Sequence, residues 1–148
     1  MAHTPSDMQA PLLPLLWLAS PALPIGAFSY SEVLEAAVEH DLVCDEHGTA
    51  EWLSDQLHLS QARGDMALVA KALAAWTNND TEQLHTLNRW VLMTRESAEL
   101  RLQSEQMGRS LLEWMRNLNM GSAAQLELCS QLQPTYPIVM ALALHCTG

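Results

Sequence analysis

An all-α fold, a single bundle of six to eight helices, is predicted by three observations. Nearly half of the 148 residues are hydrophobic, and that content is mostly Leu, Ala, Met and Trp, with one Phe and two Tyr. Leu, Ala and Met favour helices, whereas the β-branched and aromatic residues that favour strands are scarce. Apolar residues recur at steps of three and four, the period of a half-buried helix. Helix-start pairs, a short polar residue followed three later by Glu or Gln, occur at Ser29/Glu32, Asp80/Gln83 and Ser122/Gln125. The length fits one domain with a sizeable core.

Residues 1–10 are polar and expected to be flexible, leaving residues 11–148 as the helical domain. Pro14 fits the first turn of a short apolar helix reaching about Ala19. The stretch SPALPIGAFSYS follows, with Pro21, Pro24 and Gly26 too close together for helix or strand. Proline fixes its own φ and restricts the residue before it, so this stretch is expected to be extended and stiff. Ser29 and Glu32 open a helix to about His40, and residues 41–48 read as a loop. Helix is expected again from about Thr49 to Trp76, with a break near Gly64–Asp65. Asn78, Asn79 and Asp80 form a turn before a helix ending near Met93.

The longest pattern begins near Thr94. Ser97, Leu100, Ser104, Met107, Leu111, Trp114 and Leu118 share one face, and Asn119 to Gly121 end it. Ser122 caps a short helix to about Gln131. Pro134 and Pro137 then introduce the apolar run YPIVMALALHCTG. An apolar helix at a chain end needs neighbours to cover it: either it closes the bundle or later helices are missing from the C-terminus, and the second is the expectation.

The charge of −10 is unevenly spread. The first 62 residues hold nine acids (Asp7, Glu32, Glu35, Glu39, Asp41, Asp45, Glu46, Glu51, Asp55) and no Lys or Arg. Such a surface repels phosphate backbones and anionic lipid, which argues against nucleic acid or membrane partners and for a basic protein surface. Cys44, Cys129 and Cys146 form no CxxC pair, no secretory signal is visible, and no apolar run reaches the roughly 20 residues that span a bilayer. A cytoplasmic location is the expectation.

Machinery for catalysis is not apparent. The sequence lacks G-x-S-x-G, the P-loop pattern and G-x-G-x-x-G. Glu82-x-x-His85 is one copy of the pair that builds di-metal helix bundles, and Asp55-x-x-His58 is a looser version. A second Glu-x-x-His is absent, and Glu82 sits where an acid complements a helix dipole. His40, Cys44 and His47 would share a face only if helix ran through the 41–48 loop, and His145 and Cys146 point about 100° apart. Glu32, Glu35 and Glu39 read as a solvated helix face. No catalytic, cofactor-binding or metal residues are assigned. A carboxylate/His metalloenzyme using Asp55, His58, Glu82 and His85, and a generic helical interaction scaffold, stand as alternatives.

Two stretches ask for more than a structural role. SPALPIGAFSYS is more apolar and stiffer than an interhelical linker requires, and a preordered segment loses less entropy on binding. A buried interhelical loop would explain it equally well. In TRESAELRLQSEQMGRSL, Arg95 can pair with Glu99 and Arg101 with Glu105 at i, i+4. Ser97, Ser104 and Gly108 allow close approach of a neighbour, and Arg95, Arg101, Arg109 and Arg116 place four of the seven cations on this one expected helix.

These same stretches resemble the UreF family of urease accessory proteins. SPALPIGAFSYSEVLE, residues 20–35, is similar to the family's N-terminal signature. Residues 94–111 resemble its central helix motif, and PTYPIVMALAL, residues 134–144, a third landmark. The resemblance implies an all-α, homodimeric protein without a catalytic site or cofactor. It implies partners too: UreD (also called UreH), the GTPase UreG and the urease apoprotein, with the family member regulating the GTPase and promoting nickel insertion. By motif matching, Pro24, Gly26, Phe28, Ser29 and Glu35 from the first signature and Arg95, Glu96, Glu99, Arg101 and Gly108 from the second are carried over as partner-contact candidates. Two departures stand out: Glu32-Val33 replaces the family's usual Gln-Gly, and family members are usually longer, in keeping with a C-terminal truncation.

Overall fold

The computed structural model describes residues 12–26 and 34–148. Among them lie eight α-helices: α1 Leu12–Leu18, α2 Leu34–Glu39, α3 Glu46–Asp55, α4 Asp65–Thr77, α5 Thr81–Thr94, α6 Ala98–Asn117, α7 Ala123–Gln131 and α8 Tyr136–Thr147. One π-helical turn, Gln56–Gln61, continues α3, and a turn over residues 62–64 separates it from α4. The expected flexible segment 1–10 and the expected helix start at Ser29 lie outside the described residues.

Helix α8 is the axis of the bundle. It is apolar all round, which suits only a buried helix, and Pro137, Ile138, Val139, Ala141, Leu142 and Ala143 are buried. Helix α4 covers one side with Leu68, Ala72, Ala75 and Trp76, and α6 another with Ser104, Gly108, Leu111, Leu112 and Met115. Helices α1, α5 and α7 complete the surround. Trp76 Nε1 donates to the Ile138 carbonyl at 3.1 Å, so the indole spends its one donor inside the core.

The helix ends follow local chemistry. Asp80 accepts from Gln83 N–H (3.0 Å), and Ser122 and Gln125 form a reciprocal capping box. Asp41, Asn79 and Asn119 adopt positive φ just past α2, α4 and α6. Each is followed by a 6→1 bond that closes the helix: Leu42 N–H to Ala37, Asp80 N–H to Ala75, Met120 N–H to Met115.

After α7 the same turn meets Pro134, which has no N–H to close it. Buried Asn88 substitutes. Its Nδ2 donates to the Leu132 (2.6 Å) and Gln133 (3.2 Å) carbonyls, and its Oδ1 accepts from Thr135 N–H (3.1 Å) and hydroxyl (2.8 Å). That clamp holds Gln133 at φ 53° and carries the chain into α8.

Several expectations need correction. The stretch 20–26 is folded, not extended. Leu23 N–H donates to Ser20 O (3.1 Å) and Ile25 N–H to Leu23 O (2.8 Å), tight turns whose middle positions suit proline, so Leu23 and Ile25 turn into the core. The loop expected over 41–48 is shorter, because Asp45 accepts from Gly48 N–H (2.7 Å) and starts α3 at Glu46. Helix α6 begins at Ala98 with Ser97 as its cap. Its buried stripe is Ser104, Gly108, Leu111 and Met115, while Leu100 and Leu118 are exposed.

Candidate functional site

The two stretches singled out in the sequence meet across one groove. Ile25 and Gly26, at the end of the folded turn, face Leu102, Gln103, Gln106 and Met107 of α6. The groove encloses about 570 Å³ and is also bordered by Glu99, Arg109 and Ser110. Gly26 has φ 75° and open space where a side chain would stand, and Pro24 beside it is exposed. Leu102 is half exposed although it sits mid-helix.

Next to the groove, sharing Gln103 and Met107, is a smaller cavity of about 150 Å³. Arg95 Nη2 enters it to bind both carboxylate oxygens of Asp65, at 2.9 and 3.0 Å. Arg95 Nε and Ser104 Oγ are buried there without a partner among the described residues. Burial and the Asp65 charge both push the Tyr136 hydroxyl above its ordinary pKa.

The candidates divide on these facts. Pro24 and Gly26 lie at the groove, and Glu99 borders it with its carboxyl lowered by its own backbone N–H and by the Ser97 hydroxyl. Glu35 and Glu96 are exposed, the first on α2 and the second before α6. Arg101 is exposed and pairs with Glu105 at 3.5 Å, as its spacing suggested. Phe28 and Ser29 lie outside the described residues. Arg95 does not pair with Glu99: it precedes α6 and is held by Asp65. Gly108 is no surface contact. A Cβ there would lie 2.8 Å from Thr135 C and 2.9 Å from Tyr136 N, so the neighbour that needs its bare backbone is the start of α8.

Several large apolar side chains lie on the outside. Leu12, Leu13, Leu16 and Trp17 of α1 are exposed, as are Leu53, Leu57 and Leu59 along α3 and the π-turn. Helix α3 buries none of its residues. Exposed apolar patches rimmed by charge mark surfaces that meet other proteins. Among the described residues, no three His, Cys, Asp or Glu side chains are placed to hold one metal ion. Asp55, His58, Glu82 and His85 are all exposed, and His58 Nδ1 donates to the Ser54 carbonyl of its own helix at 2.7 Å. Among the described residues, no helix is long and apolar enough to cross a membrane.

Comparison with known proteins gives a consistent picture. A family model described as UreF matches residues 43–148. The chain is 57% identical over 134 residues to the urease accessory protein UreF of Polaromonas sp., covering 90% of this chain and 58% of that protein. It is 58% identical over 137 residues to the protein of that name from Paracidovorax citrulli, covering 90% and 55%. Similarity extends to the bifunctional urease accessory protein UreEF of Bordetella bronchiseptica, 45% identical over 141 residues, or 95% of this chain and 33% of that one. The chain thus spans little more than half the length of the UreF proteins it matches.

Proposed function

The chain belongs to the UreF family of urease accessory proteins, and from that premise we propose that it acts in urease maturation as a docking protein rather than as a catalyst. In this reading it assembles in the cytoplasm with UreD (UreH) and the GTPase UreG on the urease apoprotein. It promotes nickel insertion by regulating the GTPase, and it works as a homodimer.

The observation that supports the reading most is the groove where Ile25 and Gly26 meet Leu102, Gln106 and Met107. Two sequence stretches some seventy residues apart contribute to one concave, part-apolar surface, the form in which a protein presents an anchor site. Partner contacts are assigned to Pro24, Gly26, Phe28, Ser29, Glu35, Glu96, Glu99 and Arg101. Arg95 and Gly108 act instead by holding the surface in shape.

The test is urease activation in cells expressing the urease subunits and the other accessory proteins. With the host's own UreF gene deleted, adding the protein is expected to restore nickel content and activity to urease. Urease that is equally loaded with and without it would reject the proposal.

A further inference from the structure

On the flank of α6 away from the Asp65–Arg95 cavity lies a second cleft of about 560 Å³, which shares Arg109 with the groove and takes in Arg101, already assigned as a partner contact. Arg101, Arg109 and Arg116 line it, three of only seven cations in a chain of charge −10. Their partners leave most of their hydrogen-bonding capacity free. Glu105 is shared between Arg101 Nε at 3.5 Å and Arg109 Nη1 at 3.7 Å, distances too long for strong bonds. Each guanidinium carries five N–H donors, so both retain several facing solvent. Arg116 is more firmly placed, with Nη1 on Glu113 at 3.1 Å and Nη2 donating to the Ser130 hydroxyl. Three arginines against Glu105 and Glu113 leave the cleft with a local excess of one positive charge.

The opposite wall is the turn after α7. Gln133 and Pro134 line the cleft, and Gln133 holds a left-handed conformation that few side chains adopt. Such backbone persists only where the surroundings over-determine it, and the four hydrogen bonds of Asn88 do so here. Leu112 and Pro134 give the cleft apolar surface between the charges.

We propose that this cleft docks an acidic peptide segment of a partner protein. Carboxylates would take the unused fork donors of Arg101 and Arg109 in bidentate geometry, while the aliphatic stems of Glu side chains lie on Leu112 and Pro134. Charge complementarity selects the class. The remainder of the molecule is acidic and repels an acidic segment, so such a segment is favoured in this cleft. A nucleic acid would have to run its phosphates past that same negative surface.

The proposal rests on the reading of the chain as a docking protein, but it is measured on the chain alone. A fluorescein-labelled peptide of alternating Glu and Leu is titrated with the protein and followed by anisotropy. Saturable binding is expected, weakening as salt rises. The Arg101→Gln/Arg109→Gln double variant should weaken it about tenfold or more, the loss of one to two charge-assisted bonds. Arg89→Gln, on the exposed side of α5, should leave it unchanged. Equal affinity in the double variant, equal binding of a Lys-for-Glu peptide, or full displacement by inorganic phosphate would overturn the proposal. So would tighter binding of a peptide copied from residues 35–55, because the occupant would then be a second copy of this chain. Peptide binding without urease activation would leave the cleft standing and reject the urease reading; the reverse result would do the opposite.

Discussion

Arg95 and Asp65, thirty residues apart, are joined by a single guanidinium nitrogen that reaches both carboxylate oxygens at 2.9 and 3.0 Å. The pair ties the start of α4 to the turn between α5 and α6, and so fixes where α6 leaves the bundle. Both side chains are partly shielded, 25% and 37% exposed. Removing one partner leaves the other charge without compensation. Arg95→Ala is therefore expected to lower stability by about 1–2 kcal/mol, less than for a fully buried pair because water still screens it. Urea unfolding followed by circular dichroism measures this, and an unchanged midpoint would show the pair to be idle.

Gly108→Ala opposes helix propensity to packing. Alanine in mid-helix gains up to about 1 kcal/mol over glycine. Here its Cβ would press on the backbone of residues 134–136, which cannot swing aside as a side chain can. Overpacking costs of about 1–3 kcal/mol should prevail, and the variant should unfold at lower urea. A stabilised variant would mean that α6 and α8 separate more easily than their contact suggests.

Asn88→Ala takes away four hydrogen bonds and leaves the buried Leu132 carbonyl and the buried Thr135 N–H and hydroxyl without partners. A loss of roughly 2–4 kcal/mol is expected. Hydrogen exchange should quicken at Thr135 N–H before it does in the middle of α4. Uniform acceleration across the bundle would contradict a local clamp.

The thiols should fall into distinct classes. Burial pushes Cys129 up to about 12, and Cys146 is raised by the same cause. Cys44 is exposed. Under native conditions Cys44 should react with a thiol reagent at once, and Cys129 only after denaturant is added. Because the folded protein keeps the Cys129 proton well past the ordinary thiol value of 9.0, the unfolded chain loses it first. Stability from this group is complete below about pH 9 and falls as pH rises toward 12. Rising stability over that window would refute the assignment.

Local chemistry was the part of the fold most legible in the sequence. The caps at Asp80 and Ser122, the turn at residues 78–80 and the break near Gly64 depend on residues within a few positions of one another. The buried face of α6 is legible in part: Ser104, Met107, Leu111 and Trp114 lie in or against the core and Gly108 gives the close approach its small size suggests, whereas Leu100 and Leu118, counted by the same apolar period, are exposed. Two prolines in SPALPIG suggested an extended chain, but Ser20 before Pro21 is also a turn signature, and burial of Leu23 and Ile25 favoured the turn. Within the candidate site, sequence found both walls of the groove. It could not find the Asp65–Arg95 pair, the Asn88 clamp or the apposition of Ser130 to Arg116, since all three depend on contacts between separate elements.

The most direct measurement is capture of tagged protein from cells co-expressing the urease accessory proteins, comparing the unmodified chain with Leu102→Asp. Leu102 is half exposed at the groove, and an Asp there costs the helix only about 0.5 kcal/mol, so circular dichroism should be unchanged. We expect the variant to lose most of the UreD or UreG that the unmodified chain retains. Undiminished recovery of both partners by a correctly folded Leu102→Asp protein would place the interface elsewhere and contradict the account.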